Sequence, residues 1–409
     1  MMKIPELLAP AGGENQLRAA VRFGADAVYL GLTQFGMRAH AGNFDRDGLK
    51  RAVRWCRERG VRVHLTLNIF AYDEDIEPMT DAARFALNAG VDAFIMADPG
   101  AIAAVRAALP RAVIHLSTQM STMNAAAARF WHEAGVKRVV LSRELSLERI
   151  RAMRAQLPAS CEMEAFVHGA VCMSYSGRCS LSKYLTGRDA NRGDCAQACR
   201  WTYRLEEEKR PGEYYPVEQT ERGVQIFSAG DMNMLPHLPE LCGAGLDSMK
   251  IEGRMKNEYY VSTVVGAYRR GLDAVRDGRF DDALRSELSQ ELMKVSHRPY
   301  DTGFYFGPPE HPGDRDGFTQ SMELAGRVLS WENGRALVQV KSKLVEGDAL
   351  ELLTPSGSFP FALAGLRLED GSPADVCARP NALVTMPVPR ACEEGDLIRG
   401  TCRNHKKPE

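Results

Sequence analysis

Five times in the first two-thirds of the chain, a helix-like segment closes on a glycine and a short link then opens an apolar run. The instances are FGADAVYLG (23–31), RGVRVHLTLN (59–68), AGVDAFIMAD (89–98), AGVKRVVLSRE (134–144) and AGLDSMKIEGR (244–254). Glycine accepts the left-handed turn that ends a helix, and the apolar run after it reads as a buried strand. Three further runs, LLAPAG (7–12), VIHLSTQ (113–119) and EMEAFVHG (162–169), bring the strand candidates to eight. Between them, stretches such as GLKRAVRWCRERG and MTDAARFALNAG repeat apolar residues at helical spacing. Eight β/α units over about 270 residues predict a TIM-like (β/α)8 barrel of the α/β class. An open doubly wound sheet is the competitor, but no G-x-G-x-x-G dinucleotide loop is present. IFSAGD (226–231) competes with AGLDSMKIEGR for the eighth strand.

The expected division is a barrel over 1–280, a Pro- and Gly-rich connector over 281–320, and a small antiparallel β domain over 321–409. The tail alternates apolar and polar residues around turns such as Glu332-Asn333-Gly334 and Glu346-Gly347-Asp348. At 409 residues, 44% hydrophobic and 26% charged, the chain reads as ordinary globular protein. A net charge of −1 advertises no nucleic-acid partner, so any basic surface must be local. MMKIPELLAPAGG lacks the apolar core of a signal peptide, and no run of 18 apolar residues spans a membrane. Ten cysteines without a secretory signal predict a cytoplasmic protein whose clustered thiols are ligands or catalysts rather than disulfides.

Four of those cysteines, Cys172, Cys179, Cys195 and Cys199, lie in a loop-like insertion spaced C-x6-C-x15-C-x3-C. Thiolates are soft ligands, and four converging on one point need a metal or cluster to neutralise them. An iron–sulfur cluster, a structural zinc and four ordinary thiols are the readings left open. Only the second pair has the tight spacing of a zinc knuckle.

In a barrel the strand C-terminal ends form the site. There the sequence places Asn68, Asp98, Gln119, Arg143, Glu144, His168, Lys250, Glu252 and Arg254. Lys250, Glu252 and Arg254 alternate, so all three share one face of a strand, as a substrate site or as an internal salt bridge. Arg143 with Lys250 or Arg254 can clamp a small carboxylate; Arg143–Glu144 can equally cap the next helix. His168 can move a proton or serve as a structural hydrogen-bonder. Residues 178–204 carry Arg178, Lys183, Arg188, Arg192, Arg200 and Arg204 against Asp189 and Asp194, a local excess of four positive charges. Tyr184, Trp201 and Tyr203 interleave with them, which suits phosphates and unstacked bases or a merely solvated face. Protease machinery is missing: His132-Glu133 has no second histidine at zinc spacing, and no G-x-S-x-G elbow occurs.

EAFVHGAVCMSYSGRCSLS, GDCAQACRWTY and SMKIEGRMK resemble the signatures of the collagenase-like peptidase family of unassigned class (class U, number thirty-two). The similarity runs from LLAPAGG through the C-terminal β domain. It implies hydroxylases of tRNA, of ribosomal RNA or of a quinone precursor, which hold a [4Fe–4S] cluster through four cysteines, here Cys172, Cys179, Cys195 and Cys199. Zinc is the runner-up; Cys161 and Cys242 lie outside the motif. Length and tail are most similar to the prephenate-dependent branch that makes 5-hydroxyuridine at the tRNA wobble position. The expected roles follow from that. Arg143, Lys250, Arg254, Gln119 and Asn68 would bind an acidic metabolite such as prephenate; His168, Glu252 and Glu144 would move protons; Arg188, Arg192, Arg200 and Trp201 would hold tRNA. A paralogous partner subunit is a further expectation. The rival readings are a collagenase-like peptidase and a non-catalytic RNA-binding or assembly partner with a structural metal.

Overall fold

A computed structural model describes residues 3–38, 41–172, 174–201, 219–220, 223–224, 230–307 and 318–403. The chain divides into two compact units: residues 1–17, 26–256 and 298–318, and residues 18–25, 257–297 and 319–409.

The first unit is built on eight parallel strands: β1 (Glu6–Pro10), β2 (Ala27–Gly31), β3 (Arg62–Leu67), β4 (Ala93–Met96), β5 (Ile114–Leu116), β6 (Arg138–Val140), β7 (Glu162–Ala170) and β8 (Ser248–Ile251). Each pairs with the next, and β8 pairs with both β7 and β1, so the barrel closes. Between the strands run α1 (Glu14–Arg22), α2 (Arg46–Arg57), α3 (Asp73–Ala89), α4 (Pro99–Ala108), α5 (Ala125–Glu133) and α6 (Leu147–Gln156). All eight runs read from the sequence are the barrel strands, and Ser248–Ile251 is the eighth. Of IFSAGD, residues 226–229 lie outside the described residues; Asp231 begins a three-residue strand antiparallel to β7. Of the stretch 206–223 and the residue after it, only the ladder Gln219–Thr220 with Gly223–Val224 is described. The recurrent glycine has the expected cause: Gly24, Gly60, Gly90, Gly135 and Gly245 all have φ between +71° and +95°. α2 shows the matching helix logic. Asp45 caps it through the Gly48 N–H, and Leu49, Ala52, Val53 and Cys56 form its buried stripe.

The barrel interior is partly charged. Arg138 bonds Glu6 at 2.6 Å and Glu164 at 3.0 Å, and Lys250 faces Glu164 at 3.3 Å. Paired in this way, buried charges are tolerated. His64 and His115 meet edge to face beside them, ring centroids 4.8 Å apart. Burial, reinforced by the Arg138 charge, pushes His64 down to about 3, and burial with the facing His64 holds His115 well below its ordinary value. Both fold neutral. The unfolded chain takes up protons below about pH 6.5 and the folded chain does not, so stability is complete above that pH and falls as pH drops toward 3. Each histidine contributes up to about 1.4 kcal/mol per pH unit in that window. Urea midpoints at pH 7 and pH 5 check this: the loss on acidification should shrink by roughly half in His64→Gln.

The second unit holds a seven-stranded antiparallel sheet with Met322–Glu332 and Arg335–Val340 as its central hairpin. Asn333 (φ 50°) and Gly334 (φ 80°) turn it, as the sequence pair predicts. Val328, Val338, Leu352, Val384 and Ile398 are fully buried beneath. Arg399, wholly buried, bonds Glu351 at 2.5 Å and Ser358 at 2.7 Å.

Candidate active site at the barrel mouth

Strand pleating decides what faces the mouth: side chains two apart share a face. Thr66 and Asn68 therefore stack at the end of β3, and Lys250, Glu252 and Arg254 rise in three levels from β8. Lys250 is the lowest. Its charge lies on Glu164 and over the Tyr29 ring at 4.4 Å, so this residue, expected in the substrate clamp, belongs to the interior ion-pair ladder. Arg254 lies flat across the barrel to Thr66 Oγ1 at 2.9 Å, and its other terminal nitrogen reaches Asn43. Two glycines make that path. A Cβ on Gly31 would stand 2.3 Å from Arg254 Nη2, and one on Gly12 would stand 2.0 Å from the Arg254 carbonyl oxygen. Burial lowers the Arg254 pKa to about 10, and its Nε has no partner among the described residues.

Glu252 is ringed by cations: Arg143 at 3.5 Å and Arg38 at 3.6 Å, with Lys250 and Arg254 also acting on it. Burial alone would raise its pKa, but Arg38, Arg143, Lys250 and Arg254 together hold it below the ordinary glutamate value. Arg143 stacks on Phe166 at 3.9 Å and donates to the Ala170 carbonyl at 3.2 Å; its buried Nε has no partner among the described residues.

Gln119 and Asn68 form a fixed amide pair. The Met37 N–H donates to Asn68 Oδ1 at 3.3 Å, which turns Asn68 Nδ2 toward Gln119 Oε1 at 3.0 Å. Ser117 Oγ donates to the same oxygen at 3.1 Å. The Gln119 amide is thereby left with its Nε2 donor buried and unpartnered among the described residues. Such a donor is costly unless something accepts from it.

Glu144, expected to move protons, and Asp98, expected at the mouth, both accept local hydrogen bonds. Glu144 accepts from Ser142 and from the N–H and hydroxyl of Ser176, both at 2.7 Å. It pins the turn between Cys172 and Cys179, where Ser176 has φ 47°. Asp98 likewise caps α4 through the Ala101 N–H. His168 is buried, its ring tilted on Tyr300 at 5.4 Å, and its carbonyl accepts the Glu252 N–H at 2.9 Å.

The cysteine insertion is tied to the barrel by contacts that sequence spacing could not show. Asn191 clasps the backbone of Cys179 from both sides, at 3.2 Å to its N–H and 2.9 Å to its carbonyl. Arg192, expected on RNA, forms an ion pair with Asp75 at 2.6 Å and donates to the Phe70 carbonyl at 3.0 Å. Arg188 pairs with Asp194 at 2.7 Å, and Arg200 donates to Gln197 Oε1 at 2.9 Å. Trp201 is 43% exposed and Tyr184 86%. Tyr203 and Arg204 lie outside the described residues.

The four thiols are gathered on this insertion. Cys199 has its pKa raised, first by burial and then by the charges of Cys172, Cys195 and Cys179. Cys172 and Cys195 in turn act on Arg38, the residue that faces Glu252. The Gln197 N–H donates to Cys195 Sγ at 3.3 Å. Among the described residues no group of three or more His, Cys, Asp or Glu side chains is close enough to hold a metal ion. As a donor set, four soft thiols beside guanidinium groups fit an iron–sulfur cluster.

Comparison with known proteins decides the family. The model of peptidase family U32 matches residues 12–315, and that of the family U32 C-terminal domain matches 320–399. The chain belongs to peptidase family U32. Among its U32 relatives is tRNA hydroxylation protein P1 of Bacillus subtilis, 34% identical, with 97% of this chain and 95% of the relative covered. tRNA hydroxylation protein P of Escherichia coli is also 34% identical, with 95% of each covered. A protein named collagenase, from Porphyromonas gingivalis, is 35% identical over 74% of this chain and 73% of its own. No helix among the described residues of this U32 chain is long and apolar enough to cross a membrane.

Proposed function

We propose that this enzyme is an iron–sulfur RNA hydroxylase that converts a tRNA wobble uridine to 5-hydroxyuridine in a reaction dependent on a small acidic metabolite such as prephenate. One observation carries the reading: a four-thiol insertion lies beside a cluster of cations at the barrel mouth, where buried donors of Arg143, Arg254 and Gln119 lack partners among the described residues. The near full-length similarity to two proteins named for tRNA hydroxylation supports the RNA substrate. The collagenase-like alternative finds no His/Cys/Asp/Glu triad placed to hold a catalytic metal among the described residues.

Replacing the C5–H bond of uracil by C5–OH is a two-electron oxidation, so the reaction consumes either an oxygen-atom donor or water with a two-electron acceptor in addition to the RNA. A [4Fe–4S] cluster held by Cys172, Cys179, Cys195 and Cys199 supplies one-electron transfer at the mouth when bound. The chain's own residues bind and orient. Arg254, braced by Thr66 and Asn43, and Arg143, braced on Phe166, offer their forks to a carboxylate. Gln119 Nε2 donates to a carbonyl or carboxylate oxygen above β5. Glu252, kept ionised by its cations, is the base positioned to receive a proton. The test is the nucleoside content of tRNA from cells lacking the protein.

A further inference from the structure

The cationic side chains that sequence composition assigns to RNA are largely committed inside the insertion: Arg192 to Asp75, Arg188 to Asp194, Lys183 to Asp189. The outer face of α2 is different. Between Arg46 and Arg57 it carries five cations (Arg46, Lys50, Arg51, Arg54, Arg57) and one acid, Asp47, for a net of +4 in twelve residues of a chain whose total is −1. Arg46, Lys50, Arg54 and Arg57 recur at three- and four-residue spacing and form one exposed stripe opposite the buried Leu49–Ala52–Val53–Cys56 stripe. Among the described residues Arg46, Arg51 and Arg54 have no carboxylate at ion-pair distance. Lys50 touches only Asp47, at 3.4 Å, and Arg57 donates to the Gly90 carbonyl at 3.1 Å.

The stripe borders a groove of about 480 Å³ between α2 and α3, lined by Lys50, Arg54, Arg57, Glu58, Phe85 and Asn88. Phe85 holds the cations over it, with Arg46 at 4.8 Å and Lys50 at 5.3 Å from its ring centre. The stripe begins at the barrel mouth, because the Phe44 N–H bonds the carbonyl of Gly31 at the end of β2. It runs about 17 Å, the span of several phosphates along a strand.

We propose that this α2–α3 groove is the docking track for the sugar–phosphate backbone of the RNA substrate, which it leads toward the mouth. This rests on the RNA reading above and adds where the backbone lies. Exposed cations without acidic partners are what phosphate recognition requires, since each contact releases a counterion and steepens the salt dependence.

The test uses the full-length protein and an unmodified tRNA transcript, with dissociation constants measured by fluorescence anisotropy over a series of KCl concentrations. In Arg46→Gln/Lys50→Gln/Arg54→Gln the affinity should fall at least tenfold and the log–log salt slope should shrink by about 2 units. Arg111→Gln/Arg149→Gln/Arg151→Gln, which removes three exposed cations elsewhere, should change affinity less than twofold. A triple α2 variant that keeps the wild-type slope overturns the track while leaving the RNA reading intact. Lost binding of an acidic peptide with unchanged tRNA affinity overturns it as well. Wild-type protein with no salt-dependent tRNA binding overturns both the track and the hydroxylase reading.

Discussion

Replacing Arg254 by lysine is expected to lower kcat/KM for the acidic metabolite about a hundredfold while tRNA affinity stays within twofold. Lysine keeps the charge but loses the planar fork, and a bidentate charge-assisted contact is worth about 2–3 kcal/mol. The site is built for the fork. Thr66 and Asn43 each accept one N–H from its terminal nitrogens, which leaves its Nε–H and outer N–H groups for a ligand, and Gly31 leaves no room for a Cβ beside it. An ammonium at Arg254 reaches at most one of these partners. Steady-state turnover against metabolite concentration, with the melting temperature as a fold control, reads the effect. Unchanged dependence on the metabolite in Arg254→Lys removes this residue from the clamp.

Cys199→Ala is expected to reduce bound iron and sulfide to less than a tenth of wild type in anaerobically purified protein, with hydroxyuridine falling to background. The charges of Cys172, Cys195 and Cys179 all act on Cys199, which ties it to each of the other three thiols. Three thiolates leave an iron of the cluster without a protein ligand. Asn191→Ala should act more mildly, at about half the wild-type iron, because it frees the backbone of Cys179 without removing a ligand. The barrel should survive both changes, since its core lies in β1–β8. Full iron occupancy in Cys199→Ala excludes it as a ligand.

The barrel was legible because its signal is local: a left-handed glycine closes each helix, and a buried parallel strand reads as an unbroken apolar run. Gly90 at φ +95° followed by Ala93–Met96 shows the whole device in seven residues. The spacing of the four cysteines was legible too, but not what they hold. Pairing was not. Counting charges in the insertion cannot reveal that Arg192 finds Asp75 across 117 positions. Nor does the alternation Lys250–Glu252–Arg254 show that the first of the three turns down to Glu164 while the last reaches Thr66. Arg38, Asn43 and Asn191 were missed for the same reason; each acts on a partner brought by another element. Gly12 and Gly31 had a faint signal, glycines at strand ends where the next level needs space.

Nucleoside mass spectrometry of tRNA from cells lacking this protein, compared with the same cells carrying it on a plasmid, tests the hydroxylase assignment most directly. The proposed function predicts that a wobble 5-hydroxyuridine, 16 mass units above uridine, disappears on deletion, returns with the wild-type chain, and stays absent with Cys199→Ala. Unchanged 5-hydroxyuridine after deletion, in cells with no second copy of the gene, contradicts the assignment.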